Sequence, residues 1–500
     1  LPAAEPGAGG APAPEGSLRV RAARGTIVNA GFLVGLHSLG LLKGFVIAAF
    51  LTRTEYGVWG IALVTVGTLT WLKQVGIGDK YVQEDAPDPE LAYQRAFTID
   101  LLSNLVLLAV ALVALPLLAL AYGHWEIVAP GAVLAVAVAA QSFKTPVWIF
   151  YRDLRYGRQR AIEAVDPLVS FAVTIGLAAA GAGYWSLVVG YAAGIAATGV
   201  VAVAASPYRL ALRYDRAKLR EYFEFSWPIF AAGASALLIP QLSLLVGTWE
   251  LGLAGAGVIA LAGSIGSYTD RIDELVTWTL YPAICRVRDR TDVLFEAFAK
   301  SNRLALMCGV PFGVAVALFA PDLVEHGLGD EWQGAVGMLQ VFGLLAAAHH
   351  IGFNWVAFFS ARGETRPMAV TAGVVLVAFL AVTLPLTFAW GLDGYAAGMA
   401  VVTAVSLAMR SWYLRRLFRG FRLLPHALRA IAPTLPGALA VLAARLLLDL
   451  DRTVAVAVGE LVLFAAVVLA ATVVLERVLL RELWAYVRGR GAPPIVQAAA

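Results

Sequence analysis

Three cations stand inside stretches of the chain that are otherwise apolar: Lys43, Lys73 and Arg271. Holding a charge at the centre of a bilayer costs about 3 kcal/mol even on lenient insertion scales, so each needs a partner or a wet cavity. In such a cavity, ammonium and guanidinium groups suit a phosphorylated anion, to which they make charge-assisted hydrogen bonds. Lys73 is close enough to the end of its stretch to snorkel to the surface, whereas Lys43 is deeper. Acids occupy the same territory. Asp270, Asp273 and Glu274 flank Arg271, which makes them candidates for coupling to protons, sodium ions or the membrane potential, and equally for an internal ion pair with Arg271. Asp100, Glu163 and Asp166 lie near the ends of their stretches, where solvation explains them. His349, His350 and Asn354 are candidates for lining a cavity. Adjacent histidines project from two faces of one helix, so hydrogen bonding between helices accounts for them, and neither a metal site nor a cofactor is expected.

Helices must position these groups. The 500 residues are 60% hydrophobic and only 14% charged, with a mean hydropathy of +0.76, where a soluble chain carries about a quarter charged residues. The apolar residues come in blocks of about 20, the length a helix needs to cross the hydrocarbon. They do not alternate as barrel strands do, and helices satisfy their own backbone in lipid. The blocks are 26–51, 57–78, 94–122, 125–147, 163–182, 184–205, 226–248, 254–284, 297–320, 333–360, 367–390, 392–414, 427–448 and 453–477. An all-α integral membrane fold with about fourteen transmembrane helices follows. Twelve spans is the alternative if the breaks at Gly181-Ala182-Gly183 and Trp390-Gly391-Leu392 are re-entrant turns. Residues 1–24, rich in Ala, Pro and Gly, read as a disordered tail without the apolar core of a signal peptide. Cys285 and Cys308 provide no disulfide framework.

Basic residues set the orientation. With both termini in the cytoplasm, the cytoplasmic connections hold the Arg19–Arg24, Lys144–Arg160, Arg209–Arg220, Arg286–Arg303 and Arg362–Arg366 groups. They also hold Arg410, Arg415, Arg416, Arg419, Arg422 and Arg429, while the outer connections hold only Arg53, Arg445 and Arg452. The positive-inside rule needs far less asymmetry. The outer connection near 321–332 is acidic and free of Lys and Arg, in agreement.

An internal repeat runs through the blocks. Gly190-Tyr191-Ala192-Ala193-Gly194 recurs as Gly394-Tyr395-Ala396-Ala397-Gly398, Gly157-Arg158-Gln159-Arg160 aligns with Gly363-Glu364-Thr365-Arg366, and Gly57-Val58 aligns with Gly257-Val258. The repeat predicts two parallel six-helix bundles, an architecture of transporters that rock about a central cavity, followed by two C-terminal helices. The expected divisions are an N-lobe at 25–206, a cytoplasmic linker at 207–225, a C-lobe at 226–420, a final helix pair at 421–480 and a cytoplasmic tail at 481–500.

The motifs in these blocks resemble a known family. Leu51-Thr52-Arg53-Thr54-Glu55-Tyr56-Gly57 is similar to the L-x-x-x-(E/D)-Y-G turn of bacterial oligosaccharide-lipid flippases, and Gly76-Ile77-Gly78 with Val82-Gln83-Glu84 to the segment that follows. Arg152-Asp153-Leu154-Arg155-Tyr156 resembles their R-x-L-x-(F/Y) segment, and Gly183-Tyr184-Trp185-Ser186-Leu187-Val188 the start of their sixth helix. Tyr281-Pro282 ends the eighth block as in the family, and Gly329-Asp330-Glu331-Trp332 resembles the G-x-x-W that opens the tenth helix. Over about residues 25–420 the chain thus resembles the polysaccharide transporter family, flippases of O-antigen and exopolysaccharide units, of the multidrug/oligosaccharidyl-lipid/polysaccharide exporter superfamily. The resemblance implies flipping of undecaprenyl-diphosphate-linked oligosaccharide from the cytoplasmic to the outer leaflet of the plasma membrane. It also implies membrane lipids, glycosyltransferases and a polymerase of the same pathway as partners, with no nucleic acid. The extra C-terminal helices resemble those of the lipid II flippase, whose basic residues stand on its first, second and eighth helices, as Lys43, Lys73 and Arg271 would here.

Two other readings compete. A small-molecule or drug exporter of the same superfamily would favour an acidic, aromatic cavity for cationic substrates, against which the basic triad argues. A membrane polysaccharide polymerase or glycosyltransferase would need sizeable outer loops, yet the first outer connection holds only Thr52 to Tyr56.

Overall fold

The computed structural model describes residues 46–73, 77–83, 87–153, 155–287, 289–364, 366–448 and 450–487, with scattered positions between 35 and 44. Within its helices the side chains of 69–73, 221–237 and 267–283, among others, lie outside the description. Among the described residues every regular element is helical. The first block is represented by α1 at 42–44 and 46–48. Then come α2 (Arg53–Lys73), α3 (Pro89–Tyr122), α4 (Val128–Ala140), α5 (Val165–Ala179) and α6 (Trp185–Ala205).

A single helical run, Arg216–Arg286, supplies the next two elements. Straight, its 71 residues would reach about 105 Å, several times the thickness of the hydrocarbon. It turns back at Gly252, whose φ of 68° and ψ of −177° only glycine adopts without strain. The limbs α7 (216–251) and α8 (253–286) then lie side by side, with Gly247 of α7 over Ile259 of α8. Next are α9 (Thr291–Leu323) and α10 (Val336–His349), the latter continued by Trp355–Ala361. The run from Arg366 to Leu417 turns at Gly391 (φ 60°), giving α11 (366–390) and α12 (392–417). Last are α13 (Leu435–Leu448), entered through the short helix Leu423–Ile431 at a 51° bend, α14 (Val454–Leu475) and a terminal helix, Arg477–Val487.

Among the described residues eight of these runs are long and apolar enough to cross a membrane, or nine with the bent 423–448 pair, and two of them are the folded runs at Gly252 and Gly391. The breaks at 181–183 and 391 are therefore turns between long antiparallel helices. Exposed leucines and valines such as Val113, Leu446 and Val474 line the outside, which is the surface that lipid covers. This is a multi-pass membrane protein.

The repeat has a physical counterpart. On α6, Gly190 and Gly194 let the backbone close on Thr174, Ser170 and Asp166 of α5; on α12, Gly394 and Gly398 do the same against Leu386 and Thr383 of α11. The third repeated pair meets itself. A Cβ on Gly57 of α2 would lie 2.1 Å from the Leu253 carbonyl oxygen, and one on Gly257 of α8 2.0 Å from the Arg53 carbonyl oxygen. Such reciprocity, each residue meeting the other's equivalent neighbour, is what a two-fold relation between halves requires.

The block read as 333–360 is not one helix: α10 stops at His349 and the chain turns through Gly352 (φ 71°) before Trp355. The acids near 321–332 also differ from a solvated loop. Asp322 is inside α9, 6% exposed, and forms ion pairs with Arg445 of α13 and Arg452 before α14, both of which also reach Glu460 of α14. Among these pairs the Arg445–Asp322 distance is 3.2 Å and Arg445–Glu460 2.8 Å. At the other end of α9, Arg303 pairs with Glu476 and Lys300 with Glu482 at 2.8 Å. Ion pairs thus hold the C-terminal helices to α9 at both of its ends.

Candidate functional site

The closed end of the bundle is built around the Gly57–Gly257 contact. Tyr56 lies edge-on to Trp332 at 5.5 Å, and the Trp332 indole N–H donates to the Leu51 carbonyl at 3.3 Å. Leu51, Tyr56, Leu253 and Trp332 are all buried there, so this arginine-poor end is plugged by large apolar side chains.

Deeper in the bundle a cavity of about 460 Å³ opens between α2, α7, α8, α10 and α12. Its wall includes Leu63 and Val64, Pro240 and Ser243, Gly263 and Ser264, Phe342 and His349, and Tyr395, Met399 and Thr403. The ring of Tyr395 stacks on Phe342 at 6.0 Å. Tyr395, Met399 and Thr403 follow one stripe of α12, and on a 100° wheel Arg410 continues it.

Its position in the sequence places Arg410 with the cytoplasmic connection that follows. It is instead a buried residue of α12, 7% exposed. Its guanidinium donates to the His349 carbonyl at 2.6 Å and lies 3.3 and 3.4 Å from the two His349 ring nitrogens. A permanently charged group is thereby fixed against His349, a histidine of the cavity wall.

The two histidines do face opposite ways. His350 is fully buried against α9, where Gly309 makes room for its ring. The break after His349 is satisfied from α9: Asn302 Nδ2 donates to the His350 carbonyl at 2.8 Å, and its Oδ1 accepts from the Gly352 N–H at 3.1 Å. Asn354 Nδ2 donates to Ser301 Oγ at 2.5 Å. His350 and Asn354 therefore secure the broken helix rather than line the cavity.

Lys43 meets α5, a helix that contributes nothing to that cavity's wall. Its Nζ donates to Ser170 Oγ of α5 at 2.9 Å, one turn from Asp166, which is paired with Lys144. Beside this group, the Asp100 carboxylate, 2% exposed, accepts from Asn104 at 2.9 Å and Ser142 at 2.6 Å. Asp100 is thus held by internal hydrogen bonds, not by solvent, and Glu163 pairs with Arg160 at 2.6 Å. The side chains of Lys73, Asp270, Arg271, Asp273 and Glu274 lie outside the described residues. Among the described residues no group of three or more His, Cys, Asp or Glu could hold a metal ion.

The family model for polysaccharide biosynthesis proteins matches residues 46–337, more than half of the chain. The chain belongs to that family. No curated protein matches it by sequence. Among solved structures, the lipid II flippase MurJ in an inward closed conformation is 11% identical, with a TM-score of 0.65 over 91% of this chain and 100% of that one. An inward-facing multidrug resistance MATE family transporter of the MOP superfamily is 13% identical, with a TM-score of 0.63 over 78% of this chain and 98% of that one. A MOP superfamily transporter from Pyrococcus furiosus is 13% identical, with a TM-score of 0.55 over 81% and 99%. This family member therefore has the MOP superfamily transporter fold, the one that the motifs of its sequence resemble.

Proposed function

We propose that this protein is a flippase that moves a polyprenyl-diphosphate-linked oligosaccharide from the cytoplasmic to the outer leaflet of the plasma membrane, without covalent chemistry. The observation that carries this reading is a buried cation, Arg410, held against His349, a residue of the wall of an internal cavity, in a member of a polysaccharide biosynthesis family. Both termini are cytoplasmic in this proposal, so the arginine-rich connections face the cytoplasm and the Tyr56–Trp332 plug seals the outer side. The substrate's diphosphate enters the cavity while its lipid tail stays in the membrane. Arg410, with Lys43, Lys73 and Arg271, supplies the charges that offset its desolvation.

Alternating access then consists of opening the Gly57–Gly257 contact while the cytoplasmic side closes. Asp270, Asp273 and Glu274 are the proposed coupling groups for protons, sodium ions or the membrane potential. The reading as an exporter of cationic small molecules is disfavoured by a guanidinium held against His349 of the cavity wall. Deletion of the gene followed by extraction of lipid-linked oligosaccharide tests the proposal. Accumulation on the cytoplasmic leaflet supports flipping; unchanged lipid pools with failed sugar joining point to a polymerase or ligase.

A further inference from the structure

A second crevice lies apart from this cavity. It encloses about 1750 Å³ between the start of α9, the Phe359–Val370 segment and the last turns of α12. Met409, Trp412 and Arg416 line it from α12, and Arg419 from the turn that follows. On a 100° wheel the three α12 residues form a stripe of their own, centred about 110° round the helix from that of Tyr395, Met399, Thr403 and Arg410.

Its chemistry is graded. At the mouth stand Arg362, Arg366, Arg416 and Arg419, with Asp292 and Glu364 as the two carboxylates of the described lining. Glu364 is taken up by Arg362 at 2.9 Å, while Arg366 and Arg419 have no ion pair among the described residues. Arg416 lies 4.2 Å above the Trp412 ring, which fixes a guanidinium over an aromatic face that is itself about half exposed. One turn into α11 and two turns back along α12, Val370 and Met409 make the wall apolar.

The geometry points to a binding site for an anionic phospholipid from the leaflet at the arginine-rich end. The phosphate diester sits among Arg366, Arg416 and Arg419, and the acyl chains run past Trp412 along Met409 and Val370. A basic crevice between helix ends with an apolar wall beneath it matches an amphiphilic anion on both counts. A soluble anion would use the mouth alone.

The test uses full-length protein purified in a neutral detergent. Thermal unfolding is followed while phosphatidylglycerol, phosphatidylcholine or inorganic phosphate is added, and phosphatidylglycerol bearing a photoreactive acyl chain is cross-linked in parallel. Phosphatidylglycerol is expected to raise Tm and label the 409–416 segment, with little effect from the other two. The double substitution Arg366→Gln and Arg416→Gln is expected to weaken both by about thirtyfold in apparent affinity, the loss of two charge contacts. An equal shift with phosphatidylcholine, an equal shift with inorganic phosphate, or undiminished labelling in the double variant would each overturn the proposal. Should that variant fail to fold, Arg419→Gln and Trp412→Ala replace it with the same required outcomes. None of these readouts involves oligosaccharide transport, so the outcome is separate from that of the flippase proposal.

Discussion

Gly57 and Gly257, equivalent positions of the two repeats, stand face to face where α2 meets α8, each with no room for a Cβ against the other helix's backbone. Gly60 extends the relationship one turn further, where its Cβ would lie 2.5 Å from that of Ala260. The obstruction is backbone, which cannot rotate aside as a side-chain tip can. Gly57→Ala and Gly257→Ala should therefore push the plugged end apart. We expect each to lower transport by at least about tenfold and to raise the labelling of a cysteine introduced at Leu51, while membrane insertion is unchanged.

Arg410 should not tolerate lysine. The planar guanidinium reaches the His349 carbonyl and ring together, a geometry that an ammonium cannot reproduce. Arg410→Lys is expected to reduce initial transport rates by about tenfold or more without preventing purification of a monodisperse protein. Wild-type rates in that variant would remove Arg410 from the proposed binding set.

Lys43 and its resting partner should separate functionally. Lys43→Met is expected to abolish translocation, whereas Ser170→Ala, which removes only the neutral hydroxyl at 2.9 Å, should leave it close to wild type. Equal losses in both would make the pair a packing element between α1 and α5. Transport rates measured on both purified proteins decide it.

The ion pairs on α9 predict stability. Asp322→Asn leaves Arg445 and Arg452 with one carboxylate, Glu460, in place of two. A fully buried pair broken from one side costs about 3–5 kcal/mol; both arginines are partly exposed, so about 2 kcal/mol is expected. The cost should appear as a lower unfolding midpoint and as protease cleavage near 449–453. Hydrogen bonding to Asp322 and Glu460 raises the Arg452 pKa above its usual value. Since an arginine with a raised pKa keeps its stabilising charge at all pH values below its unfolded value, the arginine side of this network should not contribute pH dependence between pH 5 and 9.

Hydropathy made the helices, their pairing into repeats and the family resemblance legible, because lipid imposes long apolar runs and helix packing imposes small residues at fixed offsets. Position along the sequence misled where charge was concerned. Arg410, seven residues from the end of α12, looks like one more member of an arginine-rich connection, yet the stripe through Tyr395, Met399 and Thr403 was a periodic signal that it continues inward. Asp322 reads as a loop acid because its partners, Arg445 and Arg452, are over 120 residues away. The break after His349 was hidden because its backbone groups are satisfied by Asn302, a residue on another helix.

Reconstitution decides the central claim most directly. Purified protein is placed in liposomes with polyprenyl-diphosphate-linked oligosaccharide in one leaflet, and its appearance in the other is followed with a membrane-impermeant sugar-modifying enzyme. Translocation that depends on the protein and is lost in Arg410→Lys and Lys43→Met is the result predicted. No protein-dependent translocation of this lipid, alongside rapid movement of a cationic dye by the same preparation, would contradict it.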